Sequence, residues 1–555
     1  MSPRPGIASS SAGRVEISKP DPTRLGFDEP RNEVEFKIGK REYLILFTLG
    51  ALNIVTALDA TAFPPVLPKL SKDLGGTAIE TFWTGSAYLL ATAIFVPFLG
   101  ALSELFGRRA VLLLSIVMFS TGVLICSVAE SFPTFLAGRA IQGVGGGGIE
   151  TLTYTIVSDI IPLRQRPKYL AFIVAGWTFG SIIGPVTGGL VADHAQWQWI
   201  FYINYPFSAL SLLTVPFALR RLKLQNQPTF LTAMLRIDWI GSFLFIAGIS
   251  SLLIGLTWGG VQYRWDSYQT WLPIFLGLLA TILSVVYEAY VPLIPLIRLS
   301  VWNNISACLV FVLAIVVGFQ VYAQLFYVPL YLICVKGLSA TLTGVYLMAT
   351  LLLVLPISLI SGALITRFGS FLWSIQLGFA CLVVSNGVFL LISRHRSLVA
   401  HLFLILTLSV GDGLVILSVN IAAQAIASRR NVAYAASMFL FMRQVGACLG
   451  VAIGGTVFQN MLQEALERHE FLHEAALETS RNAVAVSDTF AALHDGPEKI
   501  ALLDSFVEGF HGIFYLLLAL ATASLVLSLF VRHHDMNKQV ESEHQLEGSV
   551  STTQA

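Results

Sequence analysis

The chain predicts an all-α polytopic membrane protein with fourteen transmembrane helices, and three observations predict it. Of its 555 residues, 55% are hydrophobic and only 12% are charged, whereas soluble domains carry about 25% charged residues. Its mean hydropathy is +0.73. Fourteen separate runs reach the length of roughly 20 apolar residues that crosses a bilayer as a helix. The net charge of +1 gives no basic footprint for nucleic acid. The five cysteines are widely spaced within apolar runs, which suits buried thiols rather than disulfides or a metal site.

The elements follow in order. Residues 1–40 are polar, rich in Pro and Ser, and lack the apolar core of a signal peptide, so they are expected to be a disordered cytosolic tail. Spans are expected over 43–66, 81–102, 110–129, 132–158, 169–192 and 199–219, making a six-helix bundle within 41–220. Two further spans, 237–259 and 271–291, lie in an inserted segment, 221–300. A second six-helix bundle, 301–531, holds 305–329, 339–362, 371–392, 399–424, 433–457 and 509–531. Its long outer loop, 458–508, begins as a continuing helix, and 532–555 form a second tail. Short loops on one side carry Arg108, Arg109, Arg164, Arg166, Lys168, Arg298, Arg429 and Arg430, a bias that places both tails in the cytosol.

An internal repeat accompanies this pattern. Gly100-Ala101-Leu102-x-x-x-Phe106-Gly107 returns as Gly362-Ala363-Leu364-x-x-x-Phe368-Gly369, and each copy closes a span and opens a short loop. Weak internal symmetry of this kind relates the halves of many transporters.

Charged residues within spans are the candidates for function, because each costs about 3 kcal/mol unless it meets a partner or a cavity. They are Asp59, Arg139, Glu150, Asp412 and Arg443. Glu150 follows Arg139 by about three turns, on roughly the same helix face. Arg443 could pair with Asp412 across the second bundle; the alternative for Asp412, as for Glu150, is a satisfied polar group within the bundle. Glu288, near the end of the inserted pair, is expected to be structural. The glycines of LAGRAIQGVGGGG (136–148) are not followed by Lys-Ser/Thr, so they form no phosphate loop. Gly180, Gly184, Gly188 and Gly189, with Pro185, put small residues on one helix face. Such a helix can pack closely on a partner in the other half and still bend at the proline.

These stretches resemble the major facilitator superfamily, and within it the 14-span drug:proton antiporters. Gly100, Glu104, Gly107, Arg108 and Arg109 match that superfamily's conformational loop between its second and third spans, with Glu104 in place of Asp and Leu105 in place of Arg. Arg139, Gln142 and Gly143 match a signature implicated in proton coupling. Gly180, Gly184, Pro185, Gly188 and Gly189 match the antiporter helix. Leu58, Asp59, Thr61, Leu67 and Pro68 match the first-span signature, and WQWIFYINYPF (197–207) and MFLFMRQVGACLGVAIGGTVFQN (438–460) look typical of fungal members.

The resemblance implies a major facilitator fold, two six-helix bundles plus two inserted spans. It implies a proton-coupled exporter of hydrophobic or amphipathic small molecules, such as a secondary metabolite, mycotoxin or antifungal drug. Spans 1 and 4 lie together in that fold, so Asp59 is expected beside Arg139. No cofactor beyond the proton gradient and no catalytic constellation or metal site is expected. The expected partners are the substrate, protons and the lipid bilayer, with no nucleic acid, and the chain is expected to be a monomer in the plasma membrane. The alternatives are an importer or vacuolar exchanger of siderophores or basic amino acids, in the vacuolar membrane, and a non-transporting membrane sensor.

Overall fold

The computed structural model describes residues 39–546 apart from 64–65, 67–68, 71–72, 76–77, 221, 225–228, 261, 292–295, 392–396, 470–475, 482–495 and 537–543. The expected tails, 1–38 and 547–555, and the prolines Pro64, Pro65 and Pro68 of the first-span signature lie outside the described residues.

Among the described residues, fourteen helices of fifteen residues or more carry the fold. They are α1 Lys40–Ala62, α2 Ala78–Phe106, α3 Arg108–Ser127, α4 Phe132–Ile160, α5 Arg166–His194, α6 Asn204–Ala218, α7 Trp239–Trp258, α8 Tyr268–Tyr290, α9 Ile305–Cys334, α10 Ala340–Phe368, α11 Leu372–Phe389, α12 Leu398–Ile426, α13 Val432–Glu467 and α14 Pro497–Ser528. A single turn, Trp199–Tyr202, leads into α6. Polar caps start several of them: Asp238, Ser267, Asn304 and Ser339 each accept a backbone N–H of the following turn, satisfying donors that a helix start leaves free. α13 runs ten residues beyond the predicted span end, about 15 Å at the rise of an α-helix. The five cysteines are free.

Among the described residues, thirteen helical segments are long and apolar enough to cross a membrane. α4 is the helix left out, and its packing explains the omission. It holds Arg139, Glu150, Asp159 and a run of glycines, and 22 of its 29 residues are buried. A helix wrapped by protein does not need an apolar surface. α8 shows the opposite arrangement: its buried residues are Thr270, Gly277, Ser284 and Glu288, one stripe at intervals of seven, seven and four, and apolar side chains cover the rest. That is the pattern of a helix with one protein face and a wide lipid face.

The internal repeat is structural. Gly107 and Gly369, equivalent in the two copies, both have left-handed backbone, φ 86° and 66°, a conformation glycine adopts without steric cost. α4 and α12 also correspond. Gly145 packs on α3 at Phe119, and Gly411 packs on α11 at Leu382. Gly147 meets the Thr92 carbonyl of α2, and Gly413 meets the Val354 carbonyl of α10. The glycine ladder of α5 has a counterpart in α13: Gly180, Gly184, Gly188 and Gly189 recur, 266 residues on, as Gly446, Gly450, Gly454 and Gly455.

The expected close packing of α5 on the other half is present, against α10, but the ladder glycines themselves face elsewhere. Gly180 lies against the Ile54 carbonyl, Gly184 against Thr61 and Gly188 against the Ala62 carbonyl, all on α1 of the same bundle. Gly446 and Gly450 lie likewise against the Ile315 and Phe319 carbonyls of α9. The ladder therefore fastens helices within a half. The helix packs as closely on the other half, with Pro185 beside Gly344 and Pro167 beside Gly362, both on α10. The reason is geometric: glycines stacked on one stripe serve one neighbour, and the flanking stripe serves the next.

Two three-residue strands, Leu222–Leu224 and His544–Leu546, pair antiparallel. They bring the chain after α6 to the chain after α14, on the side where α1 begins. That side is called here the tail side, and the opposite one the far side.

Candidate functional site

The first cluster joins α1, α2, α4 and α6. Asp59 and Arg139 are fully buried and form an ion pair, Nη1 to Oδ2 at 2.8 Å. Arg139 also donates to Gln142 Oε1 at 2.8 Å and, from Nε, to the Thr84 carbonyl at 3.2 Å. Its guanidinium lies 4.8 Å from the Phe63 ring centre and 4.6 Å from that of Tyr88, cation–π contacts that gain strength where water is excluded. The second oxygen of Asp59 accepts from Asn204 Nδ2 at 3.1 Å. Sequence reasoning brought Asp59 to Arg139 but passed over Asn204, Tyr88 and Thr84. Asn204, a carboxamide within a span, was the signal available.

The second cluster spans the two halves. Glu150 on α4 accepts from Arg443 Nη2 at 3.2 Å and from Gln444 Nε2 at 2.7 Å, both on α13. This corrects the candidate pairing of Arg443 with Asp412. α13 packs chiefly on α9 and, across the interface, on α2 and α4, and only weakly on α12, so the nearest buried carboxylate to Arg443 is Glu150. Asp412 is buried with no hydrogen-bond donor for its Oδ1. It occupies the α12 position equivalent to Gly146 in α4.

Tyr88 lies between the clusters. Its phenol interacts electrostatically with Asp59, Arg139 and Glu150, and it fits because Gly146 has no side chain there. Gly146→Ala is therefore expected to displace the Tyr88 ring and impair transport while leaving the protein folded. A transport assay beside a thermal melt checks this.

On the tail side, the predicted loop residues divide by role. Gly100 lies against Ser437 of α13, its missing methyl 2.6 Å from that hydroxyl. Arg108 is buried and pairs with Asp159 at 2.9 Å, donating also to Ser103 at 2.6 Å, so it ties the α2–α3 turn to the end of α4. Glu104 forms an ion pair with Arg298, just before α9. Arg109 stays half-exposed. Arg166, which the sequence presented only as a loop cation, is buried and donates across the interface to Gln424 of α12 at 2.8 Å. The Arg166–Gln424 and Glu104–Arg298 contacts and the Gly100–Ser437 approach hold the halves together on the tail side. On the far side, Thr341 donates to Asp193 at 2.8 Å.

Comparison with known proteins follows this architecture. The profile described as Major Facilitator Superfamily matches residues 49–451. The chain is 37% identical over 536 residues to the MFS transporter L2 of a Phoma species, covering 95% of this chain and 89% of that one. It is 29% identical to Efflux pump FUS6 of Gibberella fujikuroi, covering 95% of each, and 28% identical to the MFS efflux transporter aclA of Aspergillus oryzae, covering 94% of each. Among solved structures, the human organic anion transporter MFSD10 superposes with a TM-score of 0.56 at 16% identity, over 87% of this chain and all of that one. A bacterial homologue of the lysosomal transporter Spinster gives 0.55 at 15% identity, over 89% and 98%. At these identities the two structures speak to the fold.

Proposed function

The chain belongs to the Major Facilitator Superfamily, and on that premise we propose that it exports hydrophobic or amphipathic small molecules in exchange for protons. The observation that carries the proposal is the Glu150–Arg443–Gln444 contact, where a titratable carboxylate forms a bond between the halves. While Glu150 is ionised it holds α4 to α13. A proton arriving on it removes the charge that Arg443 attracts, and the halves are freed to rock. Asp59 and Arg139 do the same within the first bundle. With Asp59 protonated, Arg139 keeps Gln142, Thr84 and the two aromatic rings as partners, and Tyr88 offers a hydroxyl between the two carboxylates. Asp412, Oδ1 still without a donor, is the second bundle's reserve of titratable charge. Fungal relatives named as efflux pumps support export as the direction, with a secondary metabolite or toxin as cargo. The tail side is then cytosolic, and the plasma membrane is the place where export serves the cell.

The test is accumulation of a panel of fluorescent and toxic amphiphiles in a yeast stripped of its own drug pumps. Expression is expected to lower accumulation. A protonophore and, separately, Glu150→Gln should return it to the level of empty cells, since Gln keeps the hydrogen bonds and cannot titrate. Raised accumulation would reverse the direction and favour the importer. Unchanged accumulation, with the protein localised to the vacuole, would favour the exchanger.

A further inference from the structure

Two carboxyl groups meet at the tail-side end of the inserted pair. Asp238 caps α7, and its Oδ1 accepts from Gly241 N at 2.9 Å. Glu288, in the last turn of α8 and only 4% exposed, accepts at Oε2 from Leu296 N at 2.7 Å. Each carboxyl thus has one oxygen held by a backbone N–H. The other two oxygens, Asp238 Oδ2 and Glu288 Oε1, are buried and receive no hydrogen bond. Both turn to the space left by the missing side chain of Gly241, where a methyl group would stand 2.6 Å from Glu288 Oε1 and against Asp238 Oδ2. Ser284, next on this face of α8, directs its hydroxyl to the Gly241 carbonyl instead, at 3.4 Å.

Two carboxyl groups whose facing oxygens are shut away from water oppose a second negative charge unless a partner neutralises it. Neither makes an ion pair among the described residues. Arg236 lines the cleft beside Asp238 but is exposed, and Tyr287, next to Asp238, is a neutral phenol. One proton satisfies both orphan oxygens, since a protonated carboxyl donates and the ionised one accepts. We propose that Asp238 and Glu288 share one proton, a binding site belonging to the inserted pair and distinct from the Asp59 and Glu150 clusters.

The site reaches the interface between the halves through its backbone bond. Glu288 holds Leu296, two residues before Arg298. Arg298 donates its backbone N–H to Tyr434 Oη at 2.9 Å, lays its guanidinium 5.3 Å from that ring centre, donates to Asn431 at 3.3 Å and pairs with Glu104. Tyr434 is the titratable group that α13 turns toward Glu288. Loss of the shared proton sets two anions against each other, pushes Glu288 off Leu296 and loosens the segment that seats Arg298. The sign follows: a rising pH on the tail side weakens the Glu104–Arg298 clamp, and a falling pH restores it. This holds whichever way substrate moves.

The test uses the full chain in lipid nanodiscs. Asp238→Asn keeps an N-capping oxygen, and Glu288→Gln keeps an acceptor for Leu296 N, so both variants should fold. Infrared difference spectra at neutral pH, wild type minus each variant, are expected to contain the carbonyl band of a protonated carboxyl in both cases, because an amide in place of either group donates to the remaining carboxylate. A band missing from either difference spectrum overturns the sharing. Deuterium uptake by residues 296–301, corrected for the chemical exchange rate, is expected to rise several-fold in wild type as pH rises through the loss of the band, and to stay flat in Glu288→Gln. A flat profile in wild type overturns the link to the clamp. Neither readout depends on transport, so failure here is distinguishable from failure of the export proposal.

Discussion

Arg139→Ala is expected to abolish transport and to cost about 3–5 kcal/mol of stability, the range found when one partner of a buried ion pair is removed. The cost arises at Asp59. With Arg139 gone, a fully buried carboxylate in α1 keeps only the Asn204 amide as a donor. The Phe63 and Tyr88 faces that flanked the guanidinium would enclose a void. Asp59→Ala combined with Arg139→Ala is expected to regain much of that stability and none of the transport, because the uncompensated charge disappears but the titratable group does not return. Thermal unfolding in detergent, set beside efflux by the same variants, separates the two effects. Equal stability of the single and double variants would mean that the pair contributes little to the fold.

A bulky residue in either glycine ladder is the second large effect. Gly180→Val and Gly446→Val drive a branched side chain into a backbone carbonyl, that of Ile54 in one case and Ile315 in the other. A backbone neighbour cannot rotate away as a side chain can, so the helices must separate. Overpacking of this kind typically costs about 1–3 kcal/mol and more where backbone is struck. The two substitutions are expected to be equally harmful to expression and melting temperature, since the seams are equivalent. If Gly180→Val removed transport while leaving stability at the wild-type level, the α5 ladder would serve movement rather than packing.

Much of the fold was legible because bilayers impose a simple grammar: apolar runs of span length, basic loops on one side, glycine where helices touch. α4 is less apolar than the other long helices, yet its run, 132–158, was long enough to be counted as a span. The Asp59–Arg139 contact was legible through the resemblance, which places spans 1 and 4 together. What the sequence concealed were partners set by rotation about helix axes. Arg443 and Asp412 sit at similar depths in one bundle, and only the packing of α13 on α4 turns the guanidinium to Glu150. Arg166 looked like a topology-setting loop charge, because nothing local says that Gln424, 258 residues on, waits across the interface. The α5 ladder was visible as a close-contact face, but which helix it would meet depended on the arrangement of the whole bundle.

The burial of α4 has a consequence for how the protein is made. A helix bearing Arg139, Glu150, Asp159 and five glycines between residues 143 and 148 is a poor candidate to leave the translocon for lipid on its own. Its neighbour α3 is apolar, and only four residues separate its end from the start of α4. The two interlock so closely that Gly122 of α3 touches the Gln142 backbone and Gly145 of α4 touches that of Phe119. The two helices would therefore enter the bilayer as a hairpin, with α3 supplying the partition energy and the glycines letting α4 shelter against it. Truncated nascent chains that end within α4 should stay bound to the insertion machinery until the hairpin is complete.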